Sequence, residues 1–397
     1  MLVYTSRRLL RSNRSQVLRA FSTHSNTRPY DAVVIGAGPG GLTAASNLMD
    51  QGLSNICMFD PYFTAGRIHE KYREVPSNTK THMFEKWATG TKTFSQIIEA
   101  APKPNAYTTM LSFDQDEGCM LGDAVNVAQL LSDGIRKVPG VDSVTARVRK
   151  LRRERDVWDL SEHGITSRKV VLTLGSHPKR FDLVDKYPHL KELDLDITLK
   201  PSALRETVPA GSKVGVIGAS HSAVLALKNL YELGNVSIVN FHRSPLLYAE
   251  YKDGWILYDN TGLKGVAADW AREILAPENP NPRLRRINLK TDGRADKEIY
   301  DRELEDCTHL VSAIGYEMNA LPTIEVDGQE VLADFDPLTG RFKEKESQRP
   351  LPGLYGAGIA YPERVTDRAG NVESAVGWFK FMRFCKRVAP EWAAEAP

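Results

Sequence analysis

The sequence predicts an α/β protein built from two Rossmann-like dinucleotide-binding domains, the second inserted in the first. Three observations carry this. Glycine fingerprints recur at Gly36 and at Gly218, each between a β-branched run and a helical run. Each is followed by a second strand-like segment that ends in a charged residue, Asp60 in the first unit and Arg243 in the second. Two further apolar runs, residues 169–174 and 309–314, stop at Gly175 and Gly315, one for each fingerprint.

In the first unit, Val33, Val34 and Ile35 make a buried parallel strand. Gly36 turns the chain, Gly38 admits a pyrophosphate to the backbone, and Gly41 lets the next helix pack on the strand. Pro39 and Gly40 complete the turn, and the free N–H groups at the helix start face the phosphates. Residues 42–49 continue as helix and 56–59 as the second strand, which places the Asp60 carboxylate where it accepts from ribose hydroxyls. Strand, turn, helix, strand and acid in that order read as an FAD site.

The second unit is looser, with Ser220 at the middle glycine and Ala223 at the last. Small residues still leave a pyrophosphate room, so Gly218, Ser220, His221 and Ser222 are its expected contacts, and Leu225, Leu227 and Leu230 carry the helix. Arg243 ends the next strand with a guanidinium, which pairs bidentately with a 2′-phosphate where a carboxylate repels it. This reads as an NADPH site. The competing reading of Arg243 is an ordinary solvated loop residue.

The 397 residues, 42% apolar and 26% charged, suffice for two or three domains with a sizeable core. The formal charge of +2 hides an uneven distribution. Arg7, Arg8, Arg11, Arg14 and Arg19 are interleaved with Leu9, Leu10, Val17 and Leu18 and with serines, and no acid stands among them. Residues 1–29 therefore read as a mitochondrial presequence addressed to the matrix, and Arg19-Ala20-Phe21-Ser22 resembles a matrix-peptidase site. The alternative is a basic disordered tail. Without those five arginines acids outnumber bases, which argues against nucleic acid as a partner. No apolar run reaches the roughly 18 residues of a membrane span. Cys57, Cys119, Cys307 and Cys385 are dispersed, as suits a reducing compartment better than a disulfide framework. His69, His82, His177 and His221 lack metal-ligand spacing, and no metal is expected.

The FAD-binding domain is expected over residues 30–208 and 317–397, and the NADPH-binding domain over 209–316. Residues 61–116, rich in Thr, Lys and aromatics, belong around the flavin's reactive end. Residues 123–137 read as helix and 144–161 as a meander of short strands around Trp158. Tyr248, Tyr251, Trp255, Tyr258 and Trp270 allow two readings, a surface over the nicotinamide or, favoured, the core of a short helix pair. The glycine-rich stretch through Gly358-Ile359 is a second place for backbone N–H groups to reach the flavin, with residues 371–375 leading into a helix. On the last helix Trp378, Phe381, Met382 and Cys385 share a face read as core in preference to a membrane-touching stripe, and Lys380, Arg383 and Arg387 a solvated one.

These paired motifs resemble the two-dinucleotide-binding-domain flavoproteins, the pyridine nucleotide-disulfide oxidoreductase-like superfamily that also holds flavin-containing and N-hydroxylating monooxygenases. The resemblance runs over nearly all of the chain after residue 30. It implies FAD in an extended pose, reduced by NADPH, with electrons sent onward. Disulfide reduction needs two close sulfurs, and no close cysteine pair exists in the sequence, which leaves as the alternative a long-range pair such as Cys57 with Cys119, although Cys57 falls in a buried strand. Ala65-Gly66-Arg67 and then Ser77-Asn78-Thr79 are similar to the stretch after the first unit of flavin-containing monooxygenases. That match makes Asn78 the residue positioning oxygen, with Arg67 and Thr79 beside it. The alternative is a turn that merely favours Pro, Ser and Asn. Two departures stand out: residues 196–214 lack the F-x-G-x-x-x-H-x-x-x-Y signature of those monooxygenases, and the third flavin motif ends in Gly358-Ile359, not Gly-Asp.

The expectation is an FAD-dependent NADPH oxidoreductase that monooxygenates a small soft nucleophile, the oxygen chemistry belonging to the reduced flavin. Two alternatives stay open: a dehydrogenase passing electrons to a quinone or carrier protein, and a non-catalytic flavin-binding scaffold. A homodimer is also left open.

Overall fold

A computed structural model describes residues 28–276, 280–289 and 293–396. The basic N-terminal segment and its cleavage motif lie outside the described residues, Arg28 and Pro29 apart. The α/β class is as expected. The first fingerprint sits in a seven-stranded sheet whose order is Ala333–Phe335, Arg341–Glu344, Pro350–Gly356, Val170–Leu172, Ala32–Ile35, Ile56–Phe59 and Val141–Val144. Its last five strands are parallel. Period-two alternation decides what each face covers. Ala32, Val34, Ile56 and Met58 pack against the helices Pro39–Asp50, Leu121–Ile135 and Trp378–Ala394. Val33, Ile35, Cys57 and Phe59 pack instead on a five-stranded sheet that contains Lys150–Glu154, Val157–Leu160 and Ile165–Ser167, with Trp158 fully buried between the two. A strand buried on both faces must be apolar throughout, which is why these runs were conspicuous.

The second fingerprint sits in a five-stranded parallel sheet, ordered Lys191–Glu192, His309–Ser312, Lys213–Ile217, Ser237–His242 and Leu284–Asn288. Helices His221–Glu232 and Gly265–Ile274 cover one face, and Tyr300 and Leu304 of Gly293–Leu304 cover the other. Leu195, Leu199, Leu204 and Val208 join the first of these cores, so chain upstream of residue 209 also packs on this sheet.

The two glycine-terminated strands open the two crossings between the units. After Gly175 the chain continues as Ser176–Pro178, and after Gly315 as Tyr316–Met318. These segments pair antiparallel as one ribbon, reinforced by Asn319 N–H on the Gly175 carbonyl (3.1 Å) and Lys179 N–H on the Gly315 carbonyl (2.9 Å).

Three local expectations are corrected. The aromatic-rich stretch holds one helix, Gly265–Ile274, preceded by a hairpin of Glu250–Lys252 and Trp255–Leu257. Trp270 alone of its five aromatics is core, while Tyr251 is exposed on the hairpin. Val372–Ala375 is a strand paired with Glu363–Thr366, and the last helix starts only at Trp378. The apolar stripe of that helix is core as read, but Lys380 is not on a solvated face. Its ammonium lies 2.7 Å from Asp259 Oδ2 and donates to Asn260 Oδ1 at 2.6 Å, because the Asp259–Asn260 turn of the other unit docks there.

Candidate functional site

Both glycine loops end at a helix start left open. Helix Pro39–Asp50 has no side-chain cap and no acid in its first turn, so its leading N–H groups keep their positive field for a ligand. Three backbone segments converge there. A Cβ on Gly40 would lie 2.8 Å from Gly358 Cα, and one on Gly66 would lie 3.2 Å from Gly38 Cα. Any side chain at these points would fill the cradle. Thr173 fastens the turn through its hydroxyl, which donates to the Ile35 carbonyl at 2.8 Å and the Gly36 carbonyl at 3.0 Å. Ile359, just past Gly358, leaves an apolar side chain exposed at the rim.

Asp60 is buried, and its carboxylate already accepts three backbone N–H groups. Ala37 donates to Oδ2 at 2.8 Å, and Tyr62 and Phe63 donate to Oδ1 at 2.8 Å each. The residue therefore stitches the glycine loop to the end of the second strand. A carboxylate has about four acceptor positions, so three backbone donors leave one open.

The second loop repeats the device. Helix His221–Glu232 also starts without side-chain cap or acid. Gly218 has φ +135°, and a Cβ there would lie 2.3 Å from the Ala313 carbonyl oxygen, so only glycine fits. Asn240, fully buried, holds the loop by donating to the Gly218 carbonyl at 2.8 Å and the Val216 carbonyl at 3.1 Å. Nothing in the fingerprint marks that residue. Ser220 takes the N-cap position with extended backbone, and Ser222 follows within the first turn. His221 stands first in the helix with Nδ1 buried and unpartnered. Burial, and then the Lys264 charge, push its pKa from the ordinary 6.5 down to about 4, so the ring is neutral at physiological pH. Arg243 is more than half exposed at the strand end, with Nη2 3.0 Å from Asp296 Oδ2.

The residues expected at the reactive end lie along the seam between the units. Asn78 is exposed on the strand Pro76–Lys80, and its Oδ1 accepts from the Thr79 hydroxyl at 3.3 Å. The preceding Ser77 carbonyl faces the start of helix Gly265–Ile274, where a Cβ on Gly265 would lie 3.6 Å away. Arg67 is engaged elsewhere. Its guanidinium pairs with the buried Asp196 of the second unit and donates to Tyr72 Oη at 3.3 Å, while Tyr72 donates to Asp196 Oδ1 at 2.6 Å. Among the described residues no hydrogen bond joins Arg67 to Asn78 or Thr79. Asp196 carried no motif and could be found only once the two units were folded together.

A second fastening lies at the Asp259 turn. Lys264 and Lys380 both bind Asp259, and their hydrogen bonds outweigh burial to hold its carboxyl below the usual range. The buried Glu373 accepts from Asn260 N–H at 3.1 Å, Asn260 Nδ2 at 3.0 Å and the Thr261 hydroxyl.

All four cysteines are free and buried. Cys57 and Cys119 belong to different cores. Burial drives the thiols up, Cys57 and Cys385 to about 12 and Cys307 to about 11, so none is a thiolate at neutral pH. Among the described residues no group of His, Cys, Asp and Glu could hold a metal ion, and no helix is long and apolar enough to cross a membrane.

The family model for pyridine nucleotide-disulphide oxidoreductases matches residues 30–339. The chain is 43% identical over 384 residues to monooxygenase AgnR1 of Paecilomyces divaricatus, covering 91% of this chain and 98% of that protein. Among solved structures, the flavin-containing monooxygenase of Stenotrophomonas maltophilia superposes with a TM-score of 0.55 at 16% identity, over 92% of this chain and 98% of that one. The ornithine N-hydroxylase of Kutzneria sp. 744 does so with 0.55 at 14%, over 92% and 99%. Identities this low speak for the fold alone.

Proposed function

The chain belongs to the pyridine nucleotide-disulphide oxidoreductase family, and from that premise we propose that it is an FAD-dependent monooxygenase reduced by NADPH. The carrying observation is the pairing of two uncapped helix starts with four free, buried cysteines. The first supplies two dinucleotide cradles; the second offers no disulfide to take the electrons. The 43% identity to a monooxygenase along almost the whole chain supports the same direction.

On this reading the Gly36–Gly41 loop, Gly66 and Gly358 hold the FAD pyrophosphate, and Asp60 accepts from its ribose. Bound there, FAD would supply two-electron transfer from the nicotinamide and the activation of oxygen. Gly218, Ser220 and the neutral His221 frame the NADPH pyrophosphate, and Arg243 meets its 2′-phosphate. Ile314, Met318 and Ile359 expose apolar side chains beside Gly315 and Gly358, surfaces that planar rings cover and dry. Asn78 offers an amide donor at the seam. The substrate is a small soft nucleophile that needs no activating base from the protein.

The test uses the chain from residue 22 loaded with FAD. NADPH oxidation is followed in air and, anaerobically, with a quinone. Oxygen-dependent turnover whose hydrogen peroxide release falls when a thioether or amine is added supports the proposal. Fast quinone turnover with no oxygenated product supports a dehydrogenase instead, and no flavin reduction by either nicotinamide coenzyme would mean a scaffold.

A further inference from the structure

We propose that Asp296 is a specificity-determining residue of the second dinucleotide site, which it opens to NADH as well as NADPH by half-neutralising Arg243. The inference rests on the reading of that site as the nicotinamide coenzyme site.

Arg243 ends the strand Ser237–His242, and its side chain is 59% exposed. Asp296 stands in the first turn of helix Gly293–Leu304 with its side chain only 4% exposed. Their contact is 3.0 Å, between Arg243 Nη2 and Asp296 Oδ2, and the other carboxylate oxygen is buried without a partner. Arg243 is therefore the only side chain bonded to this carboxylate among the described residues. Farther along the same helix, Asp301 is bonded to Lys297 and Tyr187, and Glu303 to Arg285 and to Arg302 at 2.9 Å. Tyr300, buried near the pair, keeps its hydroxyl protonated, because burial pushes its pKa up to about 12. Arg286 and His242 bring cationic or polar groups from the other sheet face, where Arg286 is bonded to Asn240 at 3.1 Å.

A 2′-phosphate approaching Arg243 thus meets an ion pair and not a bare cation. It gains the charge-assisted hydrogen bonds of the free guanidinium edge but is repelled by the carboxylate behind it. NADH presents neutral hydroxyls at the same place and suffers no such repulsion. A bare guanidinium would favour the phosphate more strongly, so the acid narrows the preference.

The test compares wild type and Asp296→Asn, both FAD-loaded, by two readouts. One is the ratio of kcat/KM for NADPH over NADH in flavin reduction. The other is the affinity for 2′-phospho-AMP against AMP by titration calorimetry, which needs no turnover and also serves wild type alone. Wild type is expected to discriminate by about tenfold or less, and Asp296→Asn to raise both ratios about tenfold. Wild-type discrimination above about a hundredfold, or ratios that are unchanged or fall in the variant, would overturn the assignment. Failure of both nucleotides to bind or reduce the flavin would refute the underlying coenzyme reading, and the assignment with it. Reduction by both with an unmoved ratio would refute the assignment alone.

Discussion

At the scale of single residues, the site depends on groups whose charge the fold has fixed. His221 is the clearest case. Its pKa is lowered from 6.5 to about 4, so the folded state resists the proton that the unfolded state binds. Its contribution is whole above pH 6.5 and is lost as the pH falls towards 4. His221→Gln is expected to flatten the acid limb of a melting-temperature profile across that window; an unchanged limb would contradict the burial argument. Arg243→Ala is expected to raise the NADPH Michaelis constant about tenfold and the NADH constant less, and equal effects would remove its phosphate role. Asn78→Ala is expected to spare flavin reduction within about twofold while diverting more oxygen to hydrogen peroxide. The sequence shows these residues because their chemistry is local: a strand end, a helix start, a turn after a strand. It does not show Asn240, Asp196 or Asp296, since a buried amide or carboxylate acquires meaning only from a partner 22 residues away or more.

At the scale of elements, the two units are joined by the crossing ribbon and fastened by two polar contacts. The Ser176–Pro178 and Tyr316–Met318 ribbon fixes where the chain crosses. Arg67 and Tyr72 on Asp196, with Glu74 accepting from Ser202 N–H at 2.9 Å, fasten one part of the seam. The Asp259 turn on Lys380 and Glu373 fastens another. Asp196 is buried, so Asp196→Ala leaves Tyr72 and Arg67 without their acceptor and is expected to cost about 1–3 kcal/mol in denaturant unfolding. Loss below about 0.5 kcal/mol would show that water replaces the tie. The strands around both fingerprints were legible because burial on both faces leaves a continuous apolar run. The hairpin at Glu250–Leu257 and the strand Val372–Ala375 were not, because short exposed strands owe their form to their partners and not to a period of their own. Lys380 was misread for the same reason: helical spacing assigns it a polar face, and only the docked turn decides that the face is covered.

At the scale of the whole molecule, two glycine-loop sheets carry open helix starts, and each is linked to the other through its own glycine-terminated strand. The address of the protein rests on the sequence alone. Residues 1–29 fused to a fluorescent reporter are expected to carry it into mitochondria, and a cytosolic reporter would contradict that reading. On the proposed function, NADPH electrons pass through FAD to oxygen with no cysteine involved. This is tested most directly by rapid mixing: reduce the FAD-loaded chain with NADPH without oxygen, admit oxygen, and follow the flavin absorbance. A return to oxidised flavin through a spectrum distinct from both end states is expected, in wild type and in a variant with Cys57, Cys119, Cys307 and Cys385 all replaced by Ala or Ser. A direct return with no such spectrum, or its loss in the cysteine-free variant despite bound FAD, would contradict it.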